Sequence, residues 1–321
     1  MKTGYDKIEQ GILNDTNLSE EDKSKFLATF MKYRDKKANI LITGATGVGK
    51  SSTINAMFNR EEAKVGVGVD PETMDTEKFE LGSLTLWDSP GLGDGKEKDR
   101  QHSKNITDLL LKTDKNGDLL IDVVLVVLDG RSRDLGTSYE LINAVIIPTL
   151  RDKTRDQTDR LLIGINQADM MLDGRHWDRQ NTKPLPKLQE RIDEKVESVS
   201  QRIYEATKVK VEPVAYSAGY KEAGEPQEQP YNLSKLMYYI IEKIPEEKRI
   251  SVVAESNSDK RMWEKDDNLI EYRERIVEKT FGQVGREIGS KIGGIFGSVG
   301  RSIGGAIGGA IGGFIGGLFG K

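Results

Sequence analysis

Apolar residues along the 321-residue chain gather in short, nearly unbroken runs: Ala38-Asn39-Ile40-Leu41-Ile42-Thr43, Leu84-Thr85-Leu86-Trp87, Asp122-Val123-Val124-Leu125-Val126-Val127-Leu128-Asp129, Leu161-Leu162-Ile163-Gly164-Ile165 and Val211 to Ala218. Continuous rather than alternating runs mark parallel strands covered on both faces. A short strand, Lys78-Phe79-Glu80-Leu81, precedes the second run. Helical segments are expected between runs, at Ser52 to Phe58 and at Lys187 to Thr207, whose alternating charges mark a solvated face. Strand and helix alternation through Lys243 predicts an α/β fold with a doubly wound, mostly parallel sheet, whose ligands sit at the carboxyl ends of its strands.

Ser19-Glu20-Glu21-Asp22 is a credible helix start, followed by Phe26, Leu27, Phe30 and Met31 along one face, so residues 1–37 read as helices packed on the sheet domain. The organisation expected is an N-terminal helical segment at 1–37, a nucleotide domain at 38–245, a charged helical connector at 246–281 and a glycine-rich tail at 282–321.

Gly44-Ala45-Thr46-Gly47-Val48-Gly49-Lys50-Ser51 is a complete GxxxxGK[ST] phosphate loop between a predicted strand and a predicted helix. Backbone N–H groups of such a loop point at phosphates, where the helix dipole also favours negative charge. Lys50 is expected on the β- and γ-phosphates, Ser51 on Mg²⁺, and Ser52 at the helix start beside them. The run Leu84-Thr85-Leu86-Trp87-Asp88-Ser89-Pro90-Gly91 ends in DxxG: Asp88 would hold Mg²⁺ through a water, and the Gly91 N–H would meet the γ-phosphate. Between these motifs, Thr73 is the candidate to complete the Mg²⁺ shell and act with Lys50 in catalysis, with Thr76 the alternative. Leu92-Gly93-Asp94-Gly95 is then a switch segment.

The strand Leu161 to Ile165 leads into Asn166-Gln167-Ala168-Asp169. A carboxylate at Asp169 accepts from both the ring N–H and the exocyclic amine of guanine, a donor pair adenine lacks, so it would select GTP. Asn166 would brace the phosphate loop against the base-binding loop. Ser217 and Ala218 end the last run, with the Ala218 N–H placed for the guanine carbonyl. Arg131 and Arg133, in Gly130-Arg131-Ser132-Arg133-Asp134, read as surface residues paired with Asp129 or Asp134 rather than as groups reaching the nucleotide.

In this order the motifs resemble those of the small GTPases, specifically the Era-like (TrmE-Era) branch that includes bacterial ribosome-associated GTPases. Asp70-Pro71-Glu72-Thr73-Met74-Asp75, Trp87 to Gly95 and Asn166 to Asp169 before Asp173-Gly174-Arg175 are most similar to prophage-encoded bacterial predicted GTPases. The resemblance covers residues 38–245. It implies a P-loop GTPase domain, GTP and GDP with Mg²⁺ as cofactors, and hydrolysis of GTP to GDP and phosphate. Three positions depart from the pattern. Gln167 replaces the Lys whose stem lies over the base, Leu92 follows Gly91 where relatives carry a water-orienting Gln, and Gly47 stands where potassium-activated relatives have Asn. Slow intrinsic turnover follows, because phosphoryl transfer depends on positioning and charge cancellation.

The chain has no Cys and only two His, His102 and His176, which excludes a disulfide scaffold, a Cys-based zinc site and a histidine metal cluster. Both His read as surface or loop residues. A formal charge of -4 gives no electrostatic case for nucleic acid, and the N-terminus lacks the apolar core of a signal peptide. A cytoplasmic protein is expected.

From Gly285 a glycine recurs every fourth residue through Gly297 and again from Gly305 to Gly317, with a second register from Gly300 to Gly320 and Ile303, Ile307, Ile311 and Ile315 at the same interval. Such a glycine zipper lets helices approach closely in lipid. In water each Gly costs a helix about 1 kcal/mol relative to Ala. The uncharged stretch 302–320 would span about 28 Å as a helix, close to a bilayer core. The tail is read as inserting in or lying on the inner membrane or self-associating into a homo-oligomer, with docking on its own surface or disorder as alternatives. The leading functional expectation is a GTP-hydrolysing switch that controls this tail. A membrane-perturbing effector with a nucleotide sensor and a ribosome-associated GTPase are the competitors.

Overall fold

A computed structural model describes residues 4–14, 19–34, 36–58, 64–66, 77–91, 95–220 and 228–291. Thr73, Thr76, the switch residues 92–94 and tail residues 292–321 lie outside the described residues. The strands are β1 (Ala38–Gly44), β2 (Lys64–Gly66), β3 (Glu77–Leu81), β4 (Leu84–Asp88), β5 (Val123–Asp129), β6 (Leu161–Asn166), β7 (Trp177–Asp178), β8 (Lys183–Pro184) and β9 (Val214–Ala215). The helices are α1 (Gly4–Asn14), α2 (Glu20–Arg34), α3 (Lys50–Met57), α4 (Lys96–Leu111), α5 (Gly136–Glu140), α6 (Ile147–Leu150), α7 (Pro186–Thr207), α8 (Leu233–Lys243), α9 (Arg249–Ala254) and α10 (Tyr272–Lys291). A π-helical turn, Leu141–Ile146, joins α5 to α6.

Seven strands form one sheet in the order β2-β3-β4-β1-β5-β6-β9, and β7 pairs with β8 in a separate hairpin. From β4 to β9 every pairing is parallel, while β2, β3 and β4 pair antiparallel at one edge. The chain leaves β1 toward β4 on one side and later returns to β5 on the other. The strand order therefore reverses at β1, and the loop after β1 opens into the crevice where such sheets bind ligands.

The central strands are buried on both faces and their side chains divide by period two. Ile40, Ile42, Val123, Leu125 and Val127 enter one core with α1, α2, α3, α8, α9 and α10. Leu41, Val124, Val126 and Leu128 enter the other with α4, the π turn, α6 and α7. In α7 the buried positions are Leu188, Ile192, Val199 and Ile203, so the charges occupy the solvated face as expected.

β9 is shorter than the predicted run from Val211 to Ala218. Pro213 cannot donate to a ladder, and beyond Ala215 the chain pairs instead with Tyr231, through Ser217. In the N-terminal helices Phe30 and Tyr33 are buried and Leu27 packs partly buried against them, but Met31 is 48 % exposed, a correction to its expected place on the apolar face. The Phe26 side chain lies outside the described residues. His102 is a second correction: it is buried on α4, not at the surface, whereas His176 is exposed.

The segment after Lys243 packs into the first core through Ile250, Val252, Val253, Met262, Trp263, Ile276 and Phe281. Lys248 reaches back to the sheet, its Nζ 2.8 Å from Asp122 Oδ1, while Asp122 Oδ2 accepts the Asn39 N–H at 2.8 Å. Burial pushes the Asp122 carboxyl above its ordinary value, and the Lys248 ammonium opposes that rise. Ser251 Oγ donates to the Lys36 carbonyl and accepts from the Tyr5 hydroxyl at 2.9 Å, joining α9 to α1 and to the entry of β1. α10 stays helical through Gly285 and Gly289, the first glycines of the stripe.

Candidate nucleotide-binding site

The loop between β1 and α3 has the geometry of an anion cradle. Gly49 is the N-cap of α3 with φ 88° and ψ 31°, and no side chain caps the helix start. The first N–H groups of a helix have no intrahelical partner, so an uncapped start offers donors and the positive end of the dipole together. The left-handed conformation favours glycine at position 49, and the packing excludes anything larger, since an added Cβ would fall 2.3 Å from Asn166 Nδ2. Lys50 folds over the loop, its Nζ 3.2 Å from the Gly44 and Ala45 carbonyls. Thr46 and Gly47 are exposed, Val48 is buried, Ser51 is exposed and Ser52 is half-buried.

The end of β4 closes one side of the phosphate loop. Asp88 is buried in register with Ile42 of β1, and the following Ser89 donates through Oγ to Thr43 Oγ1 at 2.7 Å. Gly91 lies directly against the phosphate loop, where an added Cβ would meet Thr46 Oγ1 at 2.3 Å and Thr46 Cα at 2.6 Å. Lys50, Ser51, Asp88 and Gly91 are thus carried to the carboxyl ends of two adjacent strands, in an arrangement that fits a phosphate chain and a divalent cation.

On the base side, Asn166 joins two loops. Its Nδ2 donates to the Val48 carbonyl at 2.9 Å, and its Oδ1 accepts the Ala218 N–H at 3.0 Å. Bracing of the phosphate loop against the base loop is therefore direct. The Ala218 N–H, read from sequence as a donor to a guanine carbonyl, is engaged by Asn166 here. Gln167 adopts φ 62° and reaches the phosphate loop despite its short stem, donating through Nε2 to the Gly47 carbonyl at 3.3 Å. Asp169 follows in a 3-10 turn and is half-buried; Ser217 is buried and bridged to Tyr231.

Arg131 pairs with Asp129 as expected, through Nη2 to Oδ2 at 3.0 Å and Nε to Oδ1 at 3.2 Å. Hydrogen bonding to Asp129 holds the guanidinium above its ordinary value, with a weaker contribution from the charge of Asp169. Arg133 is exposed. Among the described residues no group of three or more His, Cys, Asp or Glu forms a metal cluster.

Residues 39–167, from the second residue of β1 through Gln167, match the family model described as a 50S ribosome-binding GTPase. That match is to a GTPase domain. The α/β architecture, with its mostly parallel sheet, is consistent with a P-loop GTPase, and the cofactors of such a domain are GTP or GDP and Mg²⁺. No curated protein matches the chain. Among solved structures, a probable GTP-binding protein engB is 20% identical, with 64% of this chain and 97% of that one covered at a TM-score of 0.37. Toc33 from Arabidopsis thaliana, in complex with Mg²⁺ and GMPPNP, is 16% identical, with 69% and 87% covered at 0.38. The LeoA bacterial dynamin GTPase from ETEC is 14% identical, with 90% of this chain but 46% of that chain covered at 0.41.

Two contacts around this site escape the motif pattern. Tyr216, fully buried, bonds through its hydroxyl to Thr53 Oγ1 of α3 at 2.8 Å. Asn257, far along the chain, satisfies carbonyls at the other end of α3. The only sequence signal for either is a polar residue inside or beside an apolar run, which does not name a partner.

Proposed function

We propose that the protein binds GTP and GDP with Mg²⁺, hydrolyses GTP to GDP and phosphate, and uses its nucleotide state to control its C-terminal tail. The observation that carries this reading is the pair of hydrogen bonds of Asn166, donated to the Val48 carbonyl of the phosphate loop and accepted from the Ala218 N–H of the base loop. Those bonds tie the start of the loop that carries Asp169 to the phosphate loop. Asp169 accepts from the guanine edge, Lys50 and the loop N–H groups hold the phosphates, and Ser51, Asp88 and Thr73 hold the cation. Bound Mg²⁺ would cancel charge on the β- and γ-phosphates. Turnover is slow on this reading, since Leu92 supplies no water-orienting amide.

Membership of the Era-like branch, resemblance to prophage-encoded GTPases and a cytoplasmic or inner-membrane location belong to the same proposal. Control of the tail is supported by continuity: α10 packs against α2, α8 and α9 and leads into the glycine stripe. Among the described residues no helix is long and apolar enough to cross a membrane, so membrane or self-association rests on the sequence of 292–321. The description of the matching family favours ribosome association as the second reading.

Calorimetry with GDP, GTP and ATP tests the nucleotide assignment: equal affinity for ATP and GTP overturns it. Flotation with liposomes, comparing the full chain with a 1–291 truncation in GDP and in a non-hydrolysable GTP analogue, tests the tail. Co-sedimentation with ribosomes rather than liposomes would favour the second reading.

A further inference from the structure

Tyr216 stands at the junction of three parts of the site. Its backbone N–H donates to the Ile165 carbonyl at 2.9 Å and its carbonyl accepts the Ala168 N–H at 3.1 Å, so it is fastened on both sides to the strand and turn that carry Asn166 and Asp169. Ser217 and Ala218 of the base loop follow it directly. Its ring lies over Gly164 of β6, where an added Cβ would fall 2.9 Å from Tyr216 Cε1, so the absence of a side chain at 164 makes the slot the ring fills.

From that slot the hydroxyl reaches Thr53 Oγ1 at 2.8 Å, and Thr53 Oγ1 donates to the Gly49 carbonyl at 2.8 Å. Thr53 has one hydroxyl proton, and Gly49 takes it. The Tyr216 hydroxyl is therefore the donor to Thr53, and the bonds run in one direction, from the base loop to the N-cap of α3. Both side chains are fully buried, and burial pushes the phenol far above its ordinary value, so the donor keeps its proton at any physiological pH.

We infer that Tyr216 is a positioning residue: through Thr53 it holds Gly49, and with it the phosphate loop, in register with the guanine-recognition loop. The inference rests on the guanine-nucleotide reading and deepens it, adding to the Asn166 bridge a second, independent connection between base and phosphate recognition. A bond that only filled the core would affect stability, whereas a positioning bond also affects how well a ligand spanning both loops is held.

The two roles separate in a mutant cycle on the full chain, with GDP affinity and the urea midpoint measured for each protein. Tyr216→Phe keeps the ring and removes the donor; Thr53→Val keeps the shape and removes the relay. Each single variant should bind GDP about five- to tenfold more weakly, the size of one buried hydrogen bond. The double variant leaves neither polar atom stranded, so its urea midpoint should return toward wild type. Its GDP affinity should stay reduced by a similar factor. Thr53→Ser, which retains the hydroxyl, should bind within about twofold of wild type, a change too small to correspond to a lost hydrogen bond. Recovery of wild-type GDP affinity in the double variant, or unchanged affinity in Tyr216→Phe, overturns the inference while leaving the nucleotide assignment standing. A wild-type chain that binds no guanine nucleotide overturns that assignment and the inference together.

Discussion

Asn257 caps the helix that begins at the phosphate loop: its Nδ2 donates to the Ala56 carbonyl at 3.1 Å and to the Asn55 carbonyl at 3.3 Å, and its N–H donates to the Met57 carbonyl at 2.8 Å. The last carbonyls of α3 have no intrahelical donors, and residues some 200 positions downstream supply them. Ser256 forms an antiparallel bridge with Phe58, and Trp263 Nε1 donates to the Asn257 carbonyl at 2.8 Å, so the cap is itself held by a buried indole.

Asn257→Ala should destabilise the fold by about 1–2 kcal/mol, the usual cost of removing a helix cap, read as a lower urea midpoint with an unchanged slope. Truncation tests the same relationship on a larger scale. A 1–291 chain should retain the cooperative transition, whereas a 1–248 chain loses Ile250, Val253 and Trp263 from the first core and should lack it. A 1–248 chain with a wild-type midpoint would show that the C-terminal segment is dispensable.

Asn166→Ala removes both bonds of the bridge at once and leaves the Ala218 N–H and Val48 carbonyl to find other partners. GDP affinity should fall by at least about tenfold. Asp169→Asn should keep the bridge and instead move preference toward xanthine nucleotides, whose base offers the complementary pattern. Competition of GDP against XDP in both variants separates bracing from base recognition. If Asp169→Asn keeps guanine preference, base selection lies elsewhere.

Lys50→Ala and Ser51→Ala should weaken GDP and GTP binding alike. Thr73→Ala should spare GDP and weaken only the Mg²⁺·GTP state, because its hydroxyl is needed only when the γ-phosphate is present. The affinity ratio for GDP and a non-hydrolysable GTP analogue is the measurement. Should Thr76→Ala show the asymmetry and Thr73→Ala not, Thr76 is the metal-completing residue.

Acid should loosen the peripheral turns first. Thr154, Thr158 and Asn181 hydrogen bonds hold Asp152, Asp156 and Asp178 below the ordinary carboxylate value of 3.8. Depressed carboxylates contribute stability that is present above the unfolded value and lost as pH falls through the folded one, because the unfolded chain then binds the extra protons. Urea midpoints should therefore begin to drop as the pH falls below about 4. Replacing all three with Asn keeps the acceptors and should flatten that dependence; an identical slope in the triple variant would place the acid sensitivity elsewhere.

What this sequence determined by itself is local. A glycine-rich turn between a buried strand and a helix can be read from consecutive residues, because backbone conformation and strand burial leave their mark within a few positions. Gly44 to Ser51, Asp88 to Gly91 and Asn166 to Asp169 all stand at carboxyl ends of strands for that reason. The bracing role of Asn166 was legible because it belongs to a spacing shared by many chains. Partner choice was not. An apolar stripe reports that a face is buried and leaves open which element covers it, so residues 246–281 read as a charged helical connector with no partner named, and packing brings Asn257 of that stretch to the end of α3 and Ile250, Val253 and Trp263 into the first core. Likewise Tyr216 lay inside a strand-like run with nothing to indicate Thr53, and His102 looked like a solvated residue until α4 was laid against the second face. Such contacts exist only once the sheet has brought distant segments together, because hydrogen bonds and buried surfaces depend on distance in space and the sequence records only order along the chain.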